Sequence, residues 1–109
     1  MISIEDFKKI EIKVGKILSV EKVPDTDKLL KLSVDLGEEN PRQIISGIAL
    51  YFPDFSVLID KKCMFVANLE SRTIRGYESQ GMILAVSTDD GKFSLLEPED
   101  VIPPGTQAK

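Results

Sequence analysis

The chain has 109 residues, 42% hydrophobic and 29% charged, enough for one domain with a modest core and no need of disulfide or metal. A net charge of −4 argues against indiscriminate nucleic-acid binding, which generally relies on a strong basic excess. Histidine is absent and cysteine occurs once, which excludes triads with a histidine base, histidine-containing zinc sites and cysteine-rich metal sites.

No apolar run approaches the roughly 18 residues of a membrane span, and residues 1–11 lack a signal peptide's apolar stretch. The chain therefore reads as cytosolic, with no membrane partner. Ser3 followed by Glu5 and Asp6 resembles a capping box, so a short helix is expected with Ile4, Phe7 and Ile10 on one side. From Ile10 the period becomes two: Ile10, Ile12 and Val14 alternate with Glu11, Lys13 and Gly15, and the run continues through Leu18 and Val20. Gly15 inside that strand is expected to mark a bulge or sharp bend, as a small closed barrel requires.

Pro24 to Asp27 is a turn by composition. The second expected strand places Leu30, Leu32, Val34 and Leu36 on one face, and residues 37–41 form the next turn. The third, residues 42–48, carries Arg42, Ile44, Ser46 and Ile48 on one side with Gln43, Ile45 and Gly47 opposite. Pro53 breaks any strand through residues 51–59, and Asp54 is suited to cap a short helix there. Residues 62–67 and 82–87 are the fourth and fifth expected strands, and Cys63, lying in the fourth, is expected to be buried as a small hydrophobe. Asp90-Gly91 turns the chain into a last strand over residues 92–96. The tail from Val101 through Pro103 and Pro104 reads as extended, its prolines barring it from a central sheet.

The long connection over residues 68–81 carries most of the functional information. Connections of that length in a small domain are usually functional or disordered. The forks of Arg72 and Arg75 suit phosphate, Asn68, Ser79 and Gln80 can read polar edges, and Tyr77 and Met82 offer stacking surfaces. Charge is uneven. Lys61, Lys62, Arg72 and Arg75 outweigh Glu70 and Glu78 by two over residues 61–80, whereas residues 87–109 carry a net −3. Such a chain would repel polyanions broadly and attract them at one patch.

Three strands, an irregular or helical connection and further strands give an all-β order, that of the OB-fold: a five-stranded Greek-key barrel, here with a short N-terminal helix and an extended C-terminal tail. That fold binds on the face of strands two and three with the loops joining strands one to two and four to five. Lys28 and Lys31 at strand two, Arg42 and Ser46 on strand three, and the 68–81 connection converge on that face.

Residues Phe7 to Ile17, Asp27 to Gly37, Arg42 to Ile48, Val66 to Leu69 and Glu78 to Ala85, with Pro103-Pro104-Gly105-Thr106, resemble the tRNA-binding domain appended to methionyl-tRNA synthetases and also found as a stand-alone homodimer. The resemblance covers the chain as a single domain, with a core from about residue 5 to residue 107. It implies structure-specific tRNA binding by an OB-fold homodimer, with no cofactor and no metal, and with any aminoacylation belonging to a separate methionyl-tRNA synthetase catalytic domain. Carried over by motif position, Lys28, Lys31, Arg42, Ser46, Asn68, Arg72, Arg75, Ser79, Gln80 and Met82 are the expected tRNA contacts. Glu70 and Thr73 depart from the basic residues common in the family's loop.

Ile4, Phe7, Val101 and Ile102 are the apolar residues expected near a two-fold interface, which would bury one self-complementary patch. The competing reading is a peptide-binding dimer similar to secretion chaperones of the same fold, holding unfolded segments against Met82 and Tyr77.

Overall fold

The alternation at residues 30–36 requires a strand with one buried face, and the computed structural model, which describes residues 1–109, has it. Leu30, Leu32, Val34 and Leu36 all lie inside the barrel on β2 (Leu30–Asp35) and just beyond it. They pack against Ile17 of β1 (Ile12–Lys22), Ile44 of β3 (Arg42–Ser46) and Phe65 of β4 (Lys62–Val66). Each such side chain contributes about 1.5–3 kcal/mol by leaving water.

β1 is long enough to serve both edges of the barrel. Its second half pairs with β2, from Lys16↔Asp35 to Lys22↔Leu30, and its first half with β4, from Ile12↔Val66 to Lys16↔Lys62. The register slips between Ile17 and Ser19, so the bulge falls at exposed Leu18 and not at Gly15. Gly15 answers a different need. A Cβ there would lie 2.6 Å from Phe65 Cδ1 and 2.7 Å from Val34 Cγ1, so only glycine lets these core side chains meet the strand.

The sheet runs β3-β2-β1-β4-β7, all pairs antiparallel, with β7 at Met82–Ile83. The Gln80 amide donates to the Gln43 carbonyl (2.8 Å), bringing the last strand back to the third and nearly closing an OB-type barrel. The expected strand over 82–87 is interrupted at Leu84; its second part, β8 (Ala85–Ser87), pairs instead with β9 (Phe93–Leu95) through the turn at Asp90-Gly91. β3 ends at Ser46, two residues short of expectation.

Local signals at the ends of elements hold. Ser3 Oγ accepts from the Asp6 amide at the start of α1 (Ile4–Phe7), and Asp54 caps a 3-10 turn at Phe55–Leu58. A second 3-10 turn, Ala49–Tyr51, carries no such signal. The tail departs from expectation. Pro103 and Pro104 stay out of the ladder, but the residues after them join it: Gly105 donates to Val14, Val14 to Thr106, and Ala108 to Ile12 (2.8, 2.9 and 2.7 Å). They occupy the edge of β1 that β2 leaves free.

Cys63 is fully buried, and loss of solvent pushes its thiol up to about 12. The native protein is therefore expected to resist thiol reagents at mildly alkaline pH and to react fully once unfolded in guanidinium. Native reactivity would show that β4 opens freely.

Candidate nucleic-acid interface

The 68–81 connection is not an open loop. Its residues form a β-hairpin, β5 (Arg72–Ile74) against β6 (Tyr77–Ser79), with register Arg72↔Ser79 to Ile74↔Tyr77. Arg75 and Gly76 make the two-residue turn with φ of 53° and 84°, the positive pair that matches the twist of the flanking strands. Arg75 is thus presented at a tip that would suit asparagine or glycine better than arginine.

The returning arm is sewn to the free edge of β3 by side chains. Ser79 Oγ accepts from the Ile45 amide (3.0 Å) and donates to the Gly81 carbonyl (3.2 Å); Gln80 Oε1 accepts from the Gln43 amide (3.0 Å), and Gln43 Nε2 donates to the Glu78 carbonyl (2.9 Å). Edge donors that would otherwise invite another strand are consumed. The outgoing arm is anchored only at its base. There Asn68 donates to the Lys9 carbonyl (2.6 Å) and accepts from the Glu11 amide (2.8 Å).

Arg42 is equally committed. Its Nε and Nη2 donate to the two Glu38 oxygens (2.8 and 2.6 Å), while Nη1 reaches the carbonyls of Ala67 and Gln80, the latter at 3.1 Å. The bond between the two side chains lowers the Glu38 carboxyl below its ordinary value and raises the Arg42 guanidinium. A depressed carboxylate stabilises the fold above its unfolded pKa and loses that contribution as pH falls through the folded value. Urea titrations between roughly pH 5 and pH 2 are thus expected to show a shallower acid loss of stability in Glu38→Gln than in the wild type.

Of the expected contacts, then, Asn68, Ser79 and Arg42 spend their polar groups on the backbone or on Glu38. Gln80 keeps only its Nε2. Arg72 and Arg75 are exposed and enter no ion pair or side-chain hydrogen bond. Lys28 is likewise exposed, at the mouth of β2 near Ser46, which pairs with Leu30. Lys31 binds Glu21 (3.0 Å) and lies 5.0 Å from the centre of the Tyr77 ring, so the hairpin reaches across β3 onto β2. Tyr77, expected to offer a stacking surface but not carried over among the tRNA contacts, meets Lys31; its spacing from Arg75 gave no hint of that partner.

Two depressions flank the returning arm. A polar groove of about 200 Å³ is lined by Lys31, Arg42, Gln43 and Gln80 among others. A smaller cleft of about 80 Å³ lies between hairpin and barrel, with Leu69, Ile74 and Met82 as its apolar wall and Arg72 at its side. Leu69 and Met82 are half exposed there. Glu70 also lines this cleft and weakens its positive charge.

The four apolar residues expected at a two-fold interface divide into two places. Ile4 and Phe7 precede β1 at its Val66 end, whereas Val101 and Ile102 follow Asp100, whose carbonyl accepts from Lys62 at the other end of β4 (2.6 Å). Four register positions, about 13 Å, separate those ends. Ile4 and Val101 are exposed, at 59% and 81%, and Phe7 and Ile102 are half-buried.

The chain that builds this face has relatives among known proteins. The family model described as "Putative tRNA binding domain" matches residues 12–107. The chain is 46% identical over 104 residues to the methionine–tRNA ligase of Enterococcus faecalis, and 49% identical over 110 residues to that of Methanoregula boonei. Those matches take in 95% and 100% of this chain but 16% of each ligase. Among solved structures, a MetRS-related protein from Pyrococcus horikoshii superposes with a TM-score of 0.92 at 38% identity, covering 100% of this chain and 98% of that one. A CsaA chaperone protein from Picrophilus torridus gives 0.86 at 30% identity, covering all of both. Barrel, hairpin and exposed arginines therefore sit in a chain that matches the family from the first residue of β1 to the tail strand beside it, and the chain belongs to the tRNA-binding domain family.

Proposed function

We propose that this chain is a non-catalytic module that holds tRNA for methionyl-tRNA synthetase, gripping the folded RNA on the hairpin face. The observation that carries the reading is the pair of unpartnered arginines on a hairpin whose base is fixed, on a protein otherwise negative. Arg72 and Arg75 neutralise phosphates, and Lys28 and Lys31 extend the cationic track along β2. Met82 and Leu69 offer an apolar wall to an exposed base, with Gln80 Nε2 as a nearby donor. Any amino-acid activation would lie in the part of such ligases that this chain does not match.

The test is a titration of folded tRNA, with heat-denatured tRNA, duplex RNA and a permanently unfolded polypeptide as competitors. Folded tRNA is expected to bind most tightly, with affinity falling steeply as salt rises. The second reading, a holder of unfolded polypeptides, is favoured by the chaperone likeness and by the apolar cleft. Preferential competition by the polypeptide would establish it and remove the first.

We further propose a cytoplasmic homodimer, supported by the exposure of Ile4 and Val101, two of the large apolar side chains left on the surface. Sedimentation equilibrium at micromolar concentration is expected to give twice the 12.1 kDa chain mass. A single-chain mass would remove the dimer.

A further inference from the structure

Arg42 resembles one more cation for the RNA, but its bonds assign it another task. Ala67 and Gln80, whose carbonyls accept from the same nitrogen, are the residues immediately before and after the 68–79 hairpin segment. One planar group therefore holds both feet of the hairpin, and Glu38 fixes the plane of that group through its other edge. We propose that Arg42 and Glu38 form a clamp that sets the angle of the β5–β6 hairpin for RNA, with Arg42 a positioning residue and not a phosphate ligand.

Leverage makes the angle matter. Arg75 lies five residue steps from Gln80, so the tip stands roughly 16 Å from its foot. A tilt of about 20° at the feet would carry the Arg75 end through roughly 5 Å, well beyond the tolerance of a charge-assisted hydrogen bond. Above Asn68 the outgoing arm makes hydrogen bonds to β6 alone. Four of the five N–H donors of Arg42 are already engaged, which leaves little for a phosphate.

The inference rests on the hairpin being the RNA-contacting surface, and the test keeps the two apart. Wild type, Glu38→Gln, Arg42→Met and, as a charge control, Glu70→Gln are titrated with folded tRNA across a range of salt. The amide exchange of each is followed in the absence of RNA. Simple electrostatics says that removing a negative charge near the site strengthens RNA binding, and Glu70→Gln is expected to do so. Glu38→Gln is expected to do the opposite, weakening binding three- to tenfold. Arg42→Met is expected to weaken binding with the wild-type salt slope retained. In both clamp variants the amides of residues 72–79 should exchange faster while those of β1, β2 and β4 keep their protection.

Tighter binding by Glu38→Gln, a salt slope reduced by about one released ion in Arg42→Met, or exchange that is unchanged or faster throughout the barrel would each overturn the clamp. Should Arg42→Met fail to fold, Arg42→Lys keeps the charge, loses the fork and carries the same expectations. If the wild type does not bind tRNA the functional reading fails, yet the exchange pattern still decides whether Arg42 holds the hairpin.

Discussion

Replacing Arg72 and Arg75 together with alanine is expected to weaken tRNA binding by roughly ten- to a hundredfold and to flatten its salt dependence. Both side chains are exposed and unpartnered, so the change removes no internal bond of the fold. Each phosphate neutralised contributes about 0.7–0.9 to the slope of log affinity against log salt, so losing two should lower the slope by about 1.5. Thermal unfolding should be almost unaffected. Arg75→Asn sharpens the test, because asparagine accepts the positive φ that arginine adopts at this tip. That variant should keep or improve the hairpin while losing part of the affinity. Unchanged affinity and slope in the double variant would place the RNA on another face.

The largest effect on stability is expected from Gly15→Ala. The added methyl would lie 2.6–2.7 Å from the Phe65 ring and a Val34 methyl, both fully buried and held on strands that flank β1. Neither neighbour can swing into solvent, so β1 or the core must shift. Overpacking of this kind costs about 3 kcal/mol, which in a domain of this size lowers the melting temperature by roughly 15 °C. Differential scanning calorimetry measures the shift directly. A loss below about 3 °C would mean that the strand has slack at Gly15 which the close contacts deny.

How far the fold could be foreseen depends on whether a residue's signal was local. The Leu30-to-Leu36 alternation, the Ser3 and Asp54 caps and the Asp90-Gly91 turn all state their structure in a few adjacent residues, and each is found in place. The hairpin was hidden because its arms are three residues long, contain little apolar patterning, and meet at an Arg-Gly turn in place of the usual Asn-Gly or Asp-Gly. Gly15 announced a constraint but not which one. Its reason lies in Phe65, fifty residues away, and the strand's slip falls instead at Leu18.

The candidate site was foreseen in position more than in role. Lys31, Arg42, Arg72 and the 79–82 segment do gather around β2, β3 and the hairpin. Sequence names the donors and acceptors that Arg42, Asn68, Ser79 and Gln80 possess, but not which backbone groups consume them. Those partners, Glu11, Ile45, Ala67 and Gln43, become neighbours only when the barrel closes.

The pairing of the tail with the first half of β1 has an architectural consequence. Ala108 bonds to Ile12, so backbone enters and leaves the barrel at a single corner. A unit tethered in that manner behaves as a cassette, which can be spliced onto an unrelated polypeptide without threading the host through it. A polypeptide fused at either end would therefore meet the barrel at the same corner, beside Val66 of β4.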